Sequence, residues 1–176
     1  RHVVLDLGFV PIYGAAGFTL PRVIGLAMDA ARQEAIAIAC DHAGVELKDL
    51  LSADLRAGGF AVADLGTNGP DSVDYPDYAN KLADALKRGE ARRGVLICGT
   101  GIGISIAANR HSHIRAAVVA DTTAARLSRQ HNDANVLVLG ARLIGTEVAR
   151  DCLKTFLETE FEGGRHQRRI DKMTVS

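Results

Sequence analysis

The glycine-rich turn at residues 98–103 holds the residue types that could do chemistry most directly. It begins with Cys98, continues as Gly-Thr-Gly-Ile-Gly, and follows an apolar run that starts at Gly94. Glycines in such a turn let backbone N–H groups converge, and the start of a following helix adds positive potential. This environment stabilises a phosphate or a developing oxyanion and favours the thiolate of Cys98. Alone the signal is weak, because a cysteine at a strand end is more often a small core residue.

Two further segments carry histidines in positions that could do chemistry. Asp41 and His42 follow the first predicted strand, where doubly wound folds bind ligands. The alternative is that Asp41 caps a helix and His42 is merely exposed. His131 and Asn132 lie between a predicted helix and the last strand. A histidine there can act as an acid or a base near neutral pH, although a loop residue that caps the preceding helix is the simpler interpretation.

The basic tail could bind an anion. Arg165 and Arg169 are four residues apart, so on a helix they face the same way, and two guanidinium groups suit a phosphate dianion. The preceding glycine pair, 163–164, indicates a hinge that folds the tail back. The alternative is a solvated basic terminus.

Alternating apolar runs and helical patterns predict the elements that position these residues. Near-continuous apolar strands between helices indicate a parallel sheet covered on both faces. We expect a doubly wound, Rossmann-like α/β sandwich of three layers with five strands, followed by a C-terminal basic helix or tail, and most motifs at the carboxyl ends of the strands. The predicted strands are 35–40, 60–65, 94–98, 115–120 and 136–139. The predicted helices are 45–57, 77–87, 122–129 and 146–158, with one more that the glycine turn at 99–103 opens and that runs to about residue 109.

Composition limits the partners and the compartment. The 176 residues include 21 basic and 21 acidic side chains, so no net field attracts nucleic acid or an anionic membrane. The three cysteines are widely spaced, which fits a reducing cytoplasm better than disulfides or zinc. No apolar run approaches the roughly 20 residues of a membrane span. We expect residues 1–34 to be an N-terminal arm or upstream residues, and 35–176 to form one domain.

Taken together and in order, five segments resemble ribose-5-phosphate isomerase B, of the ribose/galactose isomerase family. The resemblance covers about 35–173, and the combination of the Cys98 segment with the Gln-His-Asn segment is its most specific part. The matching segments are 40–44, 74–76, 98–109, 128–133 and 163–167.

The resemblance implies an aldose–ketose isomerase of the pentose phosphate pathway that interconverts D-ribose 5-phosphate and D-ribulose 5-phosphate without cofactor or metal. Cys98 would carry a proton from C2 to C1 through a cis-enediolate, with Thr100 assisting at the sugar oxygens. His131, helped by Asp41, would open the furanose ring. The site would be shared between subunits of a homodimer or tetramer. Binding residues would be Gly99, Gly101 and Gly103 for the enediolate, Asn132 and Tyr75 for the sugar, and His42, Arg142, Arg165 and Arg169 for the phosphate.

Several alternatives stay open from the sequence. Ile104 stands where one branch of the family has a catalytic glutamate, which favours the cysteine mechanism, and His131 favours a pentose phosphate over galactose 6-phosphate. Allose 6-phosphate remains possible, as does a non-catalytic sugar-phosphate or nucleotide-binding module. A dehydrogenase is disfavoured because the glycine spacing is not G-x-G-x-x-G and follows the third strand.

Overall fold

The computed structural model describes residues 34–173 as five strands and six helices in one α/β unit. A short 3₁₀ turn at His42–Gly44 follows the first strand. The strands are β1 (Ala35–Cys40), β2 (Ala61–Asp64), β3 (Arg93–Cys98), β4 (Ala116–Val118) and β5 (Val136–Gly140). The helices are α1 (Val45–Ala57), α2 (Tyr75–Lys87), α3 (Ile102–Ala108), α4 (Thr122–Asn132), α5 (Thr146–Glu158) and α6 (Arg165–Asp171).

All strands pair in parallel, in the order β2-β1-β3-β5-β4. The chain therefore winds from β1 to one side and then returns to β3 on the other, which opens a crevice at the carboxyl ends of β1 and β3. Cys40 pairs with Ile97, and Cys98 with Gly140. The predicted doubly wound five-stranded parallel sheet is confirmed.

The core lies on both faces of the sheet, which is why the strands are apolar throughout. On one face, Ile36 and Ile38 of β1 pack in a cluster with side chains of α1, α4 and α5, including Phe156. On the other face, Ala37 and Ala39 join a cluster with side chains of α2 and α3. Small residues on this second face let the helices approach closely.

The structure corrects several predicted details. Helix α4 continues through Gln130 and His131 to Asn132, so these residues form its last turn rather than a loop. Val148, predicted on the inward face of α5, is 40% exposed. The proposed arm lies outside the described residues apart from Glu34, so the division at residue 34 stays a prediction. Within 34–173, no helix is both long and apolar enough to span a bilayer.

Candidate active site

Cys98 ends β3, and its sulfur faces the glycine turn. The residue is 4% exposed, and Sγ accepts a hydrogen bond from the backbone N–H of Gly101 at 3.1 Å. Gly101 has a φ of 78°, a conformation that glycine adopts without strain. The exposed Thr100 accepts the N–H of Ile102 through Oγ1 at 3.3 Å. The turn therefore places one amide donor on the sulfur and carries the threonine hydroxyl two residues further along the chain.

Arg142 lies against the same turn, because the segment after β5 pairs with it. The N–H groups of Ala141 and Arg142 donate to the carbonyls of Cys98 and Gly99 at 2.9 and 3.0 Å. The aliphatic part of Arg142 covers Gly99, since a Cβ at Gly99 would lie 3.5 Å from its Cδ. The exposed side chain of Arg142 therefore lies beside the turn that carries the thiol, at the carboxyl edge of the sheet.

Asp41 and His42 lie at this edge as predicted. Asp41 is 6% exposed, and its carboxylate accepts the N–H of Ala43 at 2.9 Å, so it does cap the 3₁₀ turn. His42 Nδ1 accepts the N–H of Val73 at 3.3 Å. Because Nδ1 is the acceptor, the neutral ring carries its hydrogen on Nε2, which makes His42 a hydrogen-bond donor for an anion. A cavity of about 700 Å³ opens beside it, with Asn68 in the wall.

Tyr75, the first residue of α2, packs over the first turn of α3. A Cβ at Gly103 would lie 2.6 Å from Cζ of Tyr75 and 2.8 Å from its hydroxyl oxygen. Gly103 is therefore required to leave room for the ring, a role that was not predicted beside those in the turn and in enediolate binding. The ring is 39% exposed and lines the approach to the turn.

Lys48 of α1 holds the loop that follows β2, and this residue was not singled out from the sequence. Its side chain is fully buried, and Nζ donates to Asp64 at 2.7 Å and to Asn68 at 2.8 Å. Gly66 packs on the stem, where a Cβ would come within 2.8 Å of Cδ of Lys48. The loop that walls the cavity beside His42 is therefore tied to α1. A lysine on the inward stripe of a helix was the available signal.

His131 belongs to a second cluster, formed by α4, α6 and the segment before α6. Its ring stacks on His166, with 4.3 Å between the centroids. Oε2 of Glu162 lies 4.0 Å from Nε2 of His131 and 3.8 Å from Nε2 of His166. Nε of Arg165 lies 3.4 Å from Nε2 of His166 and donates to it. Sequence reasoning missed Glu162 and His166, although a histidine directly after Arg165 was a signal.

One nitrogen of each ring and one oxygen of the Glu162 carboxylate lie within 4.8 Å of one another, and two histidines with a glutamate are ligand types that Zn²⁺ takes. Parallel rings, however, direct their lone pairs side by side rather than to a common point. Arg165 also donates to one of these nitrogens. The arrangement fits proton handling better than metal binding.

Within one chain the two clusters lie at opposite edges of the sheet. His131 and Asn132 precede the first residue of β5, whereas Cys98 pairs with its last residue, Gly140. Five residues of strand span about 13 Å. Most motifs were expected at the carboxyl ends of the strands; the second cluster instead lies at the amino ends, because each helix returns the chain there. Within a single chain, four predicted site residues therefore lie far from Cys98 and Asp41: His131, Asn132, Arg165 and Arg169.

The sequence pattern of the Ribose/Galactose Isomerase family matches residues 36–173. The chain belongs to this family. Ribose-5-phosphate isomerase B of Escherichia coli K12 is 48% identical over 140 residues, which are 80% of this chain and 94% of that protein. The family resemblance that the motifs suggested is thereby confirmed.

Solved structures of the family have the same fold. The ribose-5-phosphate isomerase B of Clostridium thermocellum superposes with a TM-score of 0.79 at 51% identity, covering 80% of this chain and 95% of that one. The Mycoplasma genitalium ribose-5-phosphate isomerase B with bound ribulose-5-phosphate gives 0.76 at 45% identity, covering 80% and 93%. Nearly the whole length of each of these two structures aligns with this chain.

Proposed function

We propose that this chain interconverts D-ribose 5-phosphate and D-ribulose 5-phosphate. The observation that carries the proposal is the Cys98 thiol, which ends β3 with the Gly101 N–H on its sulfur and Arg142 beside the same turn. Proton transfer next to a carbonyl needs a base and a stabiliser for the oxyanion, and the turn supplies both. The relatives named as ribose-5-phosphate isomerase B support the choice of substrate.

In the proposed reaction, Cys98 as thiolate removes the proton from C2 of the open-chain aldose. The electron pair forms the C1–C2 double bond of a cis-enediolate, and the negative charge moves to O1. Because the Gly101 N–H is on the sulfur, the amides of Gly99 and Gly103 are the candidates for holding this oxygen. The Thr100 hydroxyl relays a proton from O2 to O1, and the Cys98 thiol returns its proton to C1, which yields the ketose.

A second copy of the chain completes the site in this proposal. Ile102 and Ile106, one turn apart on α3, are 56% and 54% exposed, and Leu143, next to Arg142, is 63% exposed. Val118, 44% exposed, lies against Gly101. Apolar side chains gathered around a reactive turn are typical of a surface that a partner covers. The partner's second cluster would then face Cys98, in a homodimer with shared sites.

The phosphate would be bound from both sides. His42, through Nε2–H, and Arg142 belong to one chain. Arg165 and Arg169 lie one turn apart on α6 and would come from the other chain. Guanidinium groups bind phosphate with paired hydrogen bonds, and this hold on the far end of the sugar positions the reacting carbons.

We place the reaction in the cytoplasm, because Cys40, Cys98 and Cys152 are all free thiols.

A ketose assay on the purified protein tests this function. We expect D-ribose 5-phosphate to be converted, Cys98→Ala to abolish turnover, and Cys152→Ala, at the buried α5 cysteine, to retain it. Allose 6-phosphate and galactose 6-phosphate, assayed in parallel, measure the preference for pentoses. Binding of D-ribose 5-phosphate without turnover by the unmodified protein would overturn the proposal and indicate a binding module.

A further inference from the structure

We infer that Asp133 is a positioning residue: its carboxylate, held between Arg115 and Arg129, fixes the last turn of α4 and with it His131 and Asn132. The inference rests on the proposed role of His131 in opening the sugar ring. Asp133 follows the Gln-His-Asn segment directly, and the proposed reaction itself gives it no role.

The two guanidinium groups hold both oxygens of the carboxylate. Nη1 of Arg129 donates to Oδ1, and Nη2 of Arg115 donates to Oδ2, each at 2.8 Å. Nε of Arg115 also donates to the carbonyls of Asn132 and Asp133 at 3.1 and 2.9 Å. The last carbonyls of a helix lack partners within the helix, so Arg115 replaces the missing donors. The end of α4 is thereby anchored to the start of β4.

Arg129 extends the anchor toward the other residues of the second cluster. It is 8% exposed, and besides Asp133 it donates to the carbonyls of Ala134 at 2.6 Å and Thr159 at 3.3 Å. Thr159 begins the segment that carries Glu162, and the N–H of Glu162 in turn donates to the carbonyl of Gln130 at 3.1 Å. The Arg129–Asp133 pair therefore sets the position of His131 relative to Glu162.

The backbone at Asp133 takes a conformation that glycine would adopt more readily, which separates the role of the carboxylate from that of ending the helix. Asp133 has a φ of 43° and a ψ of 44°, and among residues 34–173 it alone has a positive φ without being glycine. Glycine takes this left-handed conformation with less strain. An aspartate at such a position keeps a strained backbone and gains two charge-assisted hydrogen bonds.

The comparison of Asp133→Gly with Asp133→Asn separates the carboxylate from the backbone. Glycine keeps the left-handed conformation and removes the carboxylate. Asparagine also tolerates that conformation and keeps the shape, but turns an NH₂ toward one guanidinium. We expect kcat/KM for D-ribose 5-phosphate to fall about 10- to 100-fold in the glycine variant, since small displacements of reacting groups carry costs of that size. We expect a smaller fall in kcat/KM for Asp133→Asn. The NMR signals of the His131 ring should shift in both variants.

Asp54→Ala is the matched control, because it removes a carboxylate that pairs with Arg150 at 2.7 Å, between α1 and α5. It should leave kcat/KM and the His131 ring signals unchanged. If Asp133→Gly does not fold, kcat/KM and the His131 ring signals are measured on Arg115→Gln instead, which leaves the Arg129–Asp133 pair intact. A folded variant with wild-type kcat/KM and unshifted His131 signals would overturn the inference. Absence of isomerase activity in the wild type would refute the proposed function instead, while the ring signals would still test the positioning.

Discussion

The ring of His166 lies parallel to that of His131, with 4.3 Å between centroids and 5° between the ring planes. Burial lowers the pKa of His166, and the nearby His131, Arg165 and Arg169 act in the same direction, while Glu162 opposes them. Two protonated imidazoles at this distance would repel each other strongly. A neutral His166 avoids this repulsion, and its Nε2 can accept the hydrogen bond that Nε of Arg165 donates at 3.4 Å.

The lowered pKa of His166 predicts a loss of stability in acid. The unfolded chain, with an ordinary histidine pKa of 6.5, binds a proton more readily than the folded chain. The free energy of unfolding therefore falls as the pH drops through that value, until the pH is below the lowered pKa of the folded state. We expect His166→Gln to flatten this dependence in urea titrations between about pH 7.5 and about pH 5.5. Equal slopes for both proteins would contradict the prediction.

The three thiols should differ in reactivity toward iodoacetamide. Burial raises the pKa of Cys40 to about 12, and burial also raises the pKa of Cys152. Both are fully buried, whereas Cys98 keeps 4% exposure at the glycine turn. Since the thiolate is the reactive form, mass spectrometry should find Cys98 labelled first, and D-ribulose 5-phosphate should protect it. Cys98→Ser is the control, and earlier labelling of Cys152 would count against the prediction.

If His131 only opens the ring, it should be dispensable when the substrate has no ring. D-ribulose 5-phosphate is acyclic, because its C5 oxygen carries the phosphate and cannot close a five-membered ring on C2. His131→Ala should therefore slow the conversion of D-ribose 5-phosphate more than it slows deuterium uptake at C1 of D-ribulose 5-phosphate in D₂O. Proton NMR measures both rates, and Cys98→Ala should abolish both. Equal losses in the His131 variant would rule out a role confined to ring opening.

The separation of Cys98 from His131 within one chain predicts complementation between inactive variants. Cys98→Ala and His131→Ala each damage a different half of the site. Refolding the two together should produce mixed dimers with one intact site, which returns about a quarter of wild-type activity for random pairing. Each variant refolded alone is the control. A mixture no more active than the sum of those controls would show that both residues act from the same chain.

The contact between Gly103 and Tyr75 predicts that a larger residue at position 103 destabilises the protein, and that removing the Tyr75 ring reverses this loss. Gly103→Ala would place its Cβ 2.6 Å from Cζ of Tyr75, so the ring must move. We expect a loss of about 1–3 kcal/mol in stability and a lower kcat/KM. Adding Tyr75→Ala should restore most of the stability but not the activity. If the double variant is no more stable than Gly103→Ala, the clash with Tyr75 is not the cause.

The elements of the fold were predictable because parallel strands covered on both faces must be apolar throughout. The strands from β1 to β5 were all found near their actual bounds. The end of α4 was not, since polar residues such as Gln130 and His131 mark a helix end as readily as a last helical turn. Val148 was misplaced because an apolar side chain need not face inward.

The residue types of the candidate site were predictable, but their grouping was only partly so. Four residues lie together at the carboxyl ends because each one ends a strand or follows it within two residues: Cys98, Arg142, Asp41 and His42. His131 precedes a strand, so the same topological rule places it at the other edge. Which surface of a second chain faces Cys98 depends on the shape of two folded molecules, and a linear pattern carries no such information. Lys48 and Glu162 act through contacts that only the packed structure reveals.

The buried Lys48 has a consequence for the affinity of the cavity beside His42. Because Nζ of Lys48 holds the side chain of Asn68 at 2.8 Å, that wall has little freedom left to lose when an anion binds. Ordering a loop on binding subtracts from affinity, so a wall ordered in advance leaves more of the interaction free energy for the ligand. A lysine that never touches the sugar thus contributes by making the protein rigid before the encounter.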